Sequence, residues 1–329
     1  MSFVREPRRR QQPFLLLQSS TAQSGLGTIR QLLGDASVNT VLICLLHSSL
    51  LSVELPRVQT HDLLDNVPGY NDNYVDSRQL IQAAVENAAS GPLDFIIDSV
   101  DTLASDIGSV AETYKFLYEL MSLIRTRSSP SRLVLHLSSE SSLLPLLSQP
   151  AFSPPLTLVI AHPPALLIHL SAEFLTPPPP LSPEAKFWGI FLPVSERVEE
   201  SERLIFGPGG EGTGDDEFVI EVIVRDDGDG LRRRGVNRTL KGWSLARGPC
   251  PLAEMDSLKS LWSRNIAEPT VVDPTLNVSF NLNLTASQQK SRAQVPLPYA
   301  HEGSRLHITC SIHCSPIIRK TCRACRNFL

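Results

Sequence analysis

Residues 18–25 stand where a nucleotide-binding chain places its phosphate cradle. They read Gln18-Ser19-Ser20-Thr21-Ala22-Gln23-Ser24-Gly25 and follow the short apolar run PFLLLQ. A working cradle reads GxxxxGK followed by Ser or Thr; its lysine reaches the β- and γ-phosphates and its hydroxyl holds magnesium. Ser24 and Gly25 occupy the places of that lysine and hydroxyl, and no lysine precedes Lys115. The small polar residues suit a tight turn, but the cationic anchor is missing. Asp98 closes a second apolar run, LDFIIDS at 93–99, at the position of a magnesium-orienting acid. A strand-end acid without the lysine reads as a cap, so ATP hydrolysis by this chain alone is not expected and no catalytic or cofactor-binding residue is assigned.

The other reactive side chains are dispersed. His47, His136, His162 and His169 form no catalytic set; His136 inside a strand and His169 inside an apolar helix read as packed core residues. No serine has the context of a nucleophile elbow. Arg232, Arg233 and Arg234 are the densest basic cluster of the folded part, read as a solvated loop and, alternatively, as a candidate RNA-phosphate patch. Cys310, Cys314, Cys322 and Cys325 crowd the end of the chain around His313. A CxxC pair can clamp zinc, but the spacing before it matches no familiar site, and no metal ligand is assigned. Cys44 in a strand and Cys250 in a loop give no disulfide framework, which suits a reducing compartment. Sequons at Asn237, Asn277 and Asn283 are chance matches without a signal peptide.

The loop and the acid need strands to hold them. Runs at 13–18, 40–46, 93–99, 132–137 and 156–161 are apolar throughout, as in strands buried on both faces. Helical patterns lie between them. One covers residues 28–33 before Gly34. A second follows Asp76, with Gln79 three residues on as a capping box. A third runs from Asp101 to about Arg127, with Leu103, Ile107, Val110, Tyr114, Leu117, Met121 and Ile124 on one face. This alternation predicts an α/β fold: a RecA-like, P-loop-type, mainly parallel sheet flanked by helices. After the proline run 177–180, the segments FWGIFLP, RLIFG and EFVIEVIVRD read as antiparallel strands added to one side, the last half-exposed, with 232–243 as the return strand. Residues 253–262 read as one short helix.

The chain has 329 residues, 42% of them hydrophobic, and a net charge of -4, so it can bury a core and carries no global basic field. No apolar run approaches the ~20 residues of a membrane span, and no membrane association is expected. Residues 1–12 hold Arg8, Arg9 and Arg10 and read as a basic mobile leader; a mitochondrial presequence is the lesser alternative. Further on, Val278, Phe280, Leu282 and Leu284 alternate with polar residues, and Leu297, Pro298 and Tyr299 add a second apolar anchor. Such a segment adds to a partner's surface or forms an edge strand of its own sheet.

The stretch PTLNVSFNLNLTASQQKSRAQVPLPYAHEG resembles the fungal form of Elongator complex protein 5. Matching stretches are HPPALLIHLSAEFL, FWGIFLPV, RLIFGPGGEG and LKSLWSR, which together span most of residues 14–303. The resemblance implies a RecA-like fold without a working nucleotide motif. It implies assembly with the fourth and sixth Elongator proteins as a hexameric ring that binds tRNA and serves the catalytic Elongator subunits in wobble-uridine modification, in the cytoplasm and also the nucleus. The chain departs from the family at its end, which is basic and cysteine-rich in place of aspartate-rich; an altered reading frame or retained intron would account for that. The expected domains are a leader at 1–12, a RecA-like domain at 13–245, an interaction arm at 246–302 and a disordered tail at 303–329. The expected function is a non-catalytic scaffold subunit without a cofactor; the alternative is an active nucleotide-binding ATPase.

Overall fold

A computed structural model describes residues 12–34, 38–47, 51, 55–210, 212, 214, 216–226 and 235–263. Nine strands form one sheet: β1 (Phe14–Ser19), β2 (Asn39–Cys44), β3 (Val58–Asp62), β4 (Leu93–Ile97), β5 (Arg132–Ser138), β6 (Leu156–His162), β7 (Glu217–Arg225), β8 (Val236–Ser244) and β9 (Gly248–Cys250). Their order is β3-β2-β4-β5-β1-β6-β7-β8-β9. Pairing is parallel from β3 to β6 and antiparallel from β6 to β9. The loop-bearing strand β1 lies between β5 and β6, and β5 alone separates it from β4, which leads into Asp98. This is the RecA-like, P-loop-type α/β arrangement expected from the sequence, with its antiparallel addition on the C-terminal side.

The five apolar runs became strands because both their faces are covered. On one face Phe14, Leu16, Ile43, Phe95 and Leu135 pack against α2 (Ser77–Glu86), α3 (Val100–Ile107) and α4 (Val110–Arg125) through Ile81, Leu103, Leu117 and Met121. On the other, Leu15, Leu17, Leu42, Ile96 and Val134 pack against Ile29 and Leu33 of α1 (Leu26–Gly34). A third cluster joins Val219 of β7 to α6 (Pro164–Glu173) and α7 (Glu184–Ser195), with α5 (Leu144–Leu147) lying between β5 and β6 in the chain.

Several expectations are corrected. The long helix from Asp101 is two helices. Gly108 ends α3 at φ 72, and the Ser109 side chain accepts from Glu112 N to start α4. The apolar face continued across the break, which hid it from periodicity. FWGIFLP and RLIFG are not strands but lie in α7 and in α8 (Val198–Phe206). Phe187, Phe191 and Val194 share one helical face, and their aromatic composition mimicked a strand. The edge strand β3, VQTHD, was missed because it is polar and half-exposed. Asp76 caps α2, but its carboxylate takes the Arg78 main chain and guanidinium in place of a box with Gln79. Residues 253–262 split into two 3₁₀ turns and α9 (Lys259–Ser263). The expected boundary at 245 falls within packed structure, since Leu252, Met255, Leu258 and Leu261 join the third cluster. Gln12, placed in the leader, is buried and donates to Asp226 Oδ1 at 2.9 Å.

The break at Gly108 can be tested. An L side chain there is forced into the left-handed region, so Gly108→Ala should lose about 1 kcal/mol. The urea midpoint should fall with the slope unchanged.

Candidate functional site

Four amides of the loop after β1 are held within the loop and by the end of the strand. Ser20 and Gln23 exchange main-chain hydrogen bonds at 3.0 and 3.2 Å, Gly25 N donates to Ser19 Oγ at 2.7 Å, and Leu26 N donates to Ser24 Oγ at 3.2 Å. These are amides that a phosphate would need free. Gly25 lies so close to the strand that a Cβ there would sit 3.1 Å from Ser19 Oγ. The Thr21 hydroxyl donates to Glu202 of α8, which sets a carboxylate against the loop. Gln23 is fully buried and its Nε2 reaches the Ser24 and Gly214 carbonyls. The residues present therefore do not fit a nucleotide phosphate: the Ser20, Gln23, Gly25 and Leu26 amides are engaged, the lysine is absent, and the neighbouring charge is negative.

Asp98 is engaged as well. It is fully buried, and its carboxylate accepts from the amides of Leu45 (2.7 Å), Leu46 (3.1 Å) and His47 (2.6 Å), which turn the chain at the end of β2. The cap of α3 is its neighbour, Ser99, whose hydroxyl accepts from Thr102 N at 3.2 Å. Asp98 thus caps the β2 turn, and its oxygens face amides where a magnesium-orienting acid would face a metal.

His136 joins these two places. Its Nδ1 lies 2.5 Å from the Asp98 carbonyl, which can only accept, so Nδ1 carries the proton. Its Nε2, 2.6 Å from Ser19 Oγ, then accepts from the hydroxyl. Burial lowers its pKa from the ordinary 6.5 and keeps the ring neutral, despite the opposing pull of the Asp98 carbonyl. A hydrogen-bonded line therefore runs from Gly25 through Ser19, His136 and Asp98 to residues 45–47, across the carboxyl ends of β1, β5, β4 and β2. His136 is buried as expected, but as a polar link. His169 is only half-buried, edge-on to Phe174 at 5.8 Å. In Cys44, burial, reinforced by Asp98 and Asp62, pushes the thiol up to about 12, which leaves it inert.

A second polar place escaped sequence reasoning. His162 at the end of β6 donates from Nε2 to Glu221 Oε2 at 2.9 Å, and Arg238 of β8 approaches Glu221 Oε1 at 3.1 Å. Glu221 is 2% exposed, although the alternation of β7 predicted a half-exposed strand. The α7–α8 hairpin covers the face that carries Val219 and Glu221, while Phe218, Ile220 and Val222 pack on the other face with α1. The only sequence signal was the lone Glu221 in an otherwise apolar run.

The remaining site residues fall elsewhere. Arg232, Arg233 and Arg234, the arm residues Val278, Phe280, Leu282, Leu284, Leu297, Pro298 and Tyr299, and the four C-terminal cysteines lie outside the described residues. Among the described residues no cluster of His, Cys, Asp or Glu is arranged for a metal, and no helix is long and apolar enough to cross a membrane.

No protein-family model and no curated protein matches the chain. Among solved structures, a KaiC-like protein from the hyperthermophilic archaeon Pyrococcus horikoshii is similar at a TM-score of 0.36 and 12% identity, covering 73% of this chain and 89% of that one. The RadB recombinase is similar at a TM-score of 0.36 and 8% identity, covering 73% and 92%. A DnaB-like replicative helicase gives 0.30 and 10%, covering 74% and 57%. Strand order and register, with β1 between β5 and β6, define the fold.

Two outcomes follow for the line. Asp98→Ala leaves three amides without their acceptor and should cost about 3–5 kcal/mol in denaturant unfolding. Acidification should act through His136. Its folded pKa is lowered, so the unfolded chain binds its proton first; stability is full above about 6.5 and falls as pH drops below that value. His136→Gln should flatten that part of the stability–pH curve, measured as urea midpoints between pH 5 and 8.

Proposed function

We propose that this chain is a non-catalytic RecA-like scaffold subunit of Elongator. On this reading it assembles with the fourth and sixth Elongator proteins into a hexameric ring that binds tRNA and supports wobble-uridine modification. The observation that carries the non-catalytic half is the closed line from Gly25 to residues 45–47. It engages the Gly25 amide of the loop and the acid that a hydrolytic site would keep for phosphate and magnesium. The assembly half rests on the sequence resemblance and on the apolar pattern at 278–284, which would gain main-chain hydrogen bonds and bury side chains on docking. Burial of one Phe or Leu contributes roughly 1.5–3 kcal/mol, so three or four such anchors suffice against the ordering cost.

Two measurements test it. The purified chain should show no ATP turnover above a blank; a rate that disappears in Asp98→Ala while the fold persists would establish the ATPase reading instead. Co-expression with the two sister proteins should give a defined hetero-oligomer by light scattering. Phe280→Asp with Leu284→Asp should weaken that assembly at unchanged melting temperature. If the double variant assembles normally, or its body melts, the segment is a strand of this chain's own sheet.

A further inference from the structure

At the start of the loop after β1, against Ser19 and Ser20, a cavity of about 260 Å³ lies between the sheet and the α7–α8 hairpin. This is just below the about 300–1,000 Å³ of pockets for drug-sized ligands. Its floor follows the strand register. Gln18 of β1 pairs with Ile160 of β6, Ile160 with Glu221 of β7, and Glu221 with Leu240, two residues from Arg238 on the same face of β8. Leu192 and Val198 form an apolar wall.

The polar groups in it converge on one kind of ligand. Glu221 is 98% enclosed, yet its Oε1 lacks an aligned hydrogen-bond donor; the nearby Arg238 approaches at 3.1 Å out of line. A buried carboxylate oxygen in that state favours a ligand that brings N–H donors. Arg238 stands at the mouth with its side chain a third exposed and stacked over Trp188 at 5.9 Å. Its guanidinium favours an acceptor edge and disfavours a cation. Glu196 and Glu221 against Arg238 make the formal charge of the lining negative, which disfavours phosphate. A neutral planar molecule with an amino donor beside an acceptor meets all three conditions. Carboxylates take base amino groups and guanidinium groups take base acceptors in the same way elsewhere.

We propose that this cavity binds an amino-bearing nucleobase, with Glu221 accepting from the amino group and Arg238 donating to the adjacent acceptor. The site borders the loop after β1, through Gln18, Ser19 and Ser20, and does not depend on the assembly reading. The base could come from a free nucleoside or from a splayed-out residue of single-stranded RNA; the contacts are the same.

The test titrates guanosine, cytidine and uridine into the full chain, followed by saturation-transfer NMR and calorimetry. Guanosine or cytidine should saturate, and uridine, which has no amino group, should bind at least about tenfold more weakly. Ser195→Leu fills the cavity from α7 and should abolish binding at unchanged melting temperature. Glu221→Gln should erase the preference over uridine. Repeating the titration with short oligo-C and oligo-U assigns the source: the same ranking identifies RNA, and binding of nucleosides alone identifies the free compound. Absence of saturation by both guanosine and cytidine, equal binding of uridine, or undiminished binding in Ser195→Leu overturns the proposal.

Discussion

The structure turns on one buried carboxylate. Asp98 is shut away from water at the end of β4, where an unsatisfied charge would be costly. The three amides that satisfy it belong to residues 45–47, so its position dictates how the chain leaves β2. Its own carbonyl fixes the His136 tautomer, and that tautomer fixes the direction of the Ser19 hydroxyl. Ser19 in turn holds Gly25 and the entry to α1. Main-chain pairing aligns these strands along their lengths; this line of side chains sets the loops beyond their ends.

The sequence disclosed the sheet because burial on both faces leaves an uninterrupted apolar text. Phe14–Ser19, Leu93–Ile97 and Arg132–Ser138 are of that kind. It disclosed much less where context overrides pattern. VQTHD is an edge strand with one neighbour, and nothing in five mostly polar residues announces it. The aromatic stretch at 187–193 has β-forming residues, but the third core cluster needs Phe187 and Phe191 one helical turn apart. The missing lysine was legible, since its absence needs no structure. The His136 link was not, because Ser19, Asp98 and His136 are brought together only by the order of β1, β5 and β4.

The antiparallel addition is part of the same body as the parallel strands. Trp243 of β8 and Phe218 of β7 stack at 5.5 Å and join the cluster under α1, together with Leu15 and Leu17 of β1. On the opposite face the α7–α8 hairpin covers β7 and hides Glu221. His162 and Glu221 belong to adjacent strands but are far apart in sequence, so the pair arises from register alone.

The engaged amides of the loop have a consequence for motion. In a nucleotide-driven machine, the chemical cycle does work because each bound state stabilises a different loop geometry. Here Ser20, Gln23, Gly25 and Leu26 already have their partners, and Thr21 is fastened to Glu202 on a separate helix. On the proposed non-catalytic reading a nucleotide would find no second geometry to select, and a ligand without a preference between states shifts nothing. If the chain is the non-catalytic subunit proposed above, it would keep no time and generate no stroke. On that reading it would behave as a fixed angle piece whose contribution to a ring is its shape, with movement originating in its neighbours.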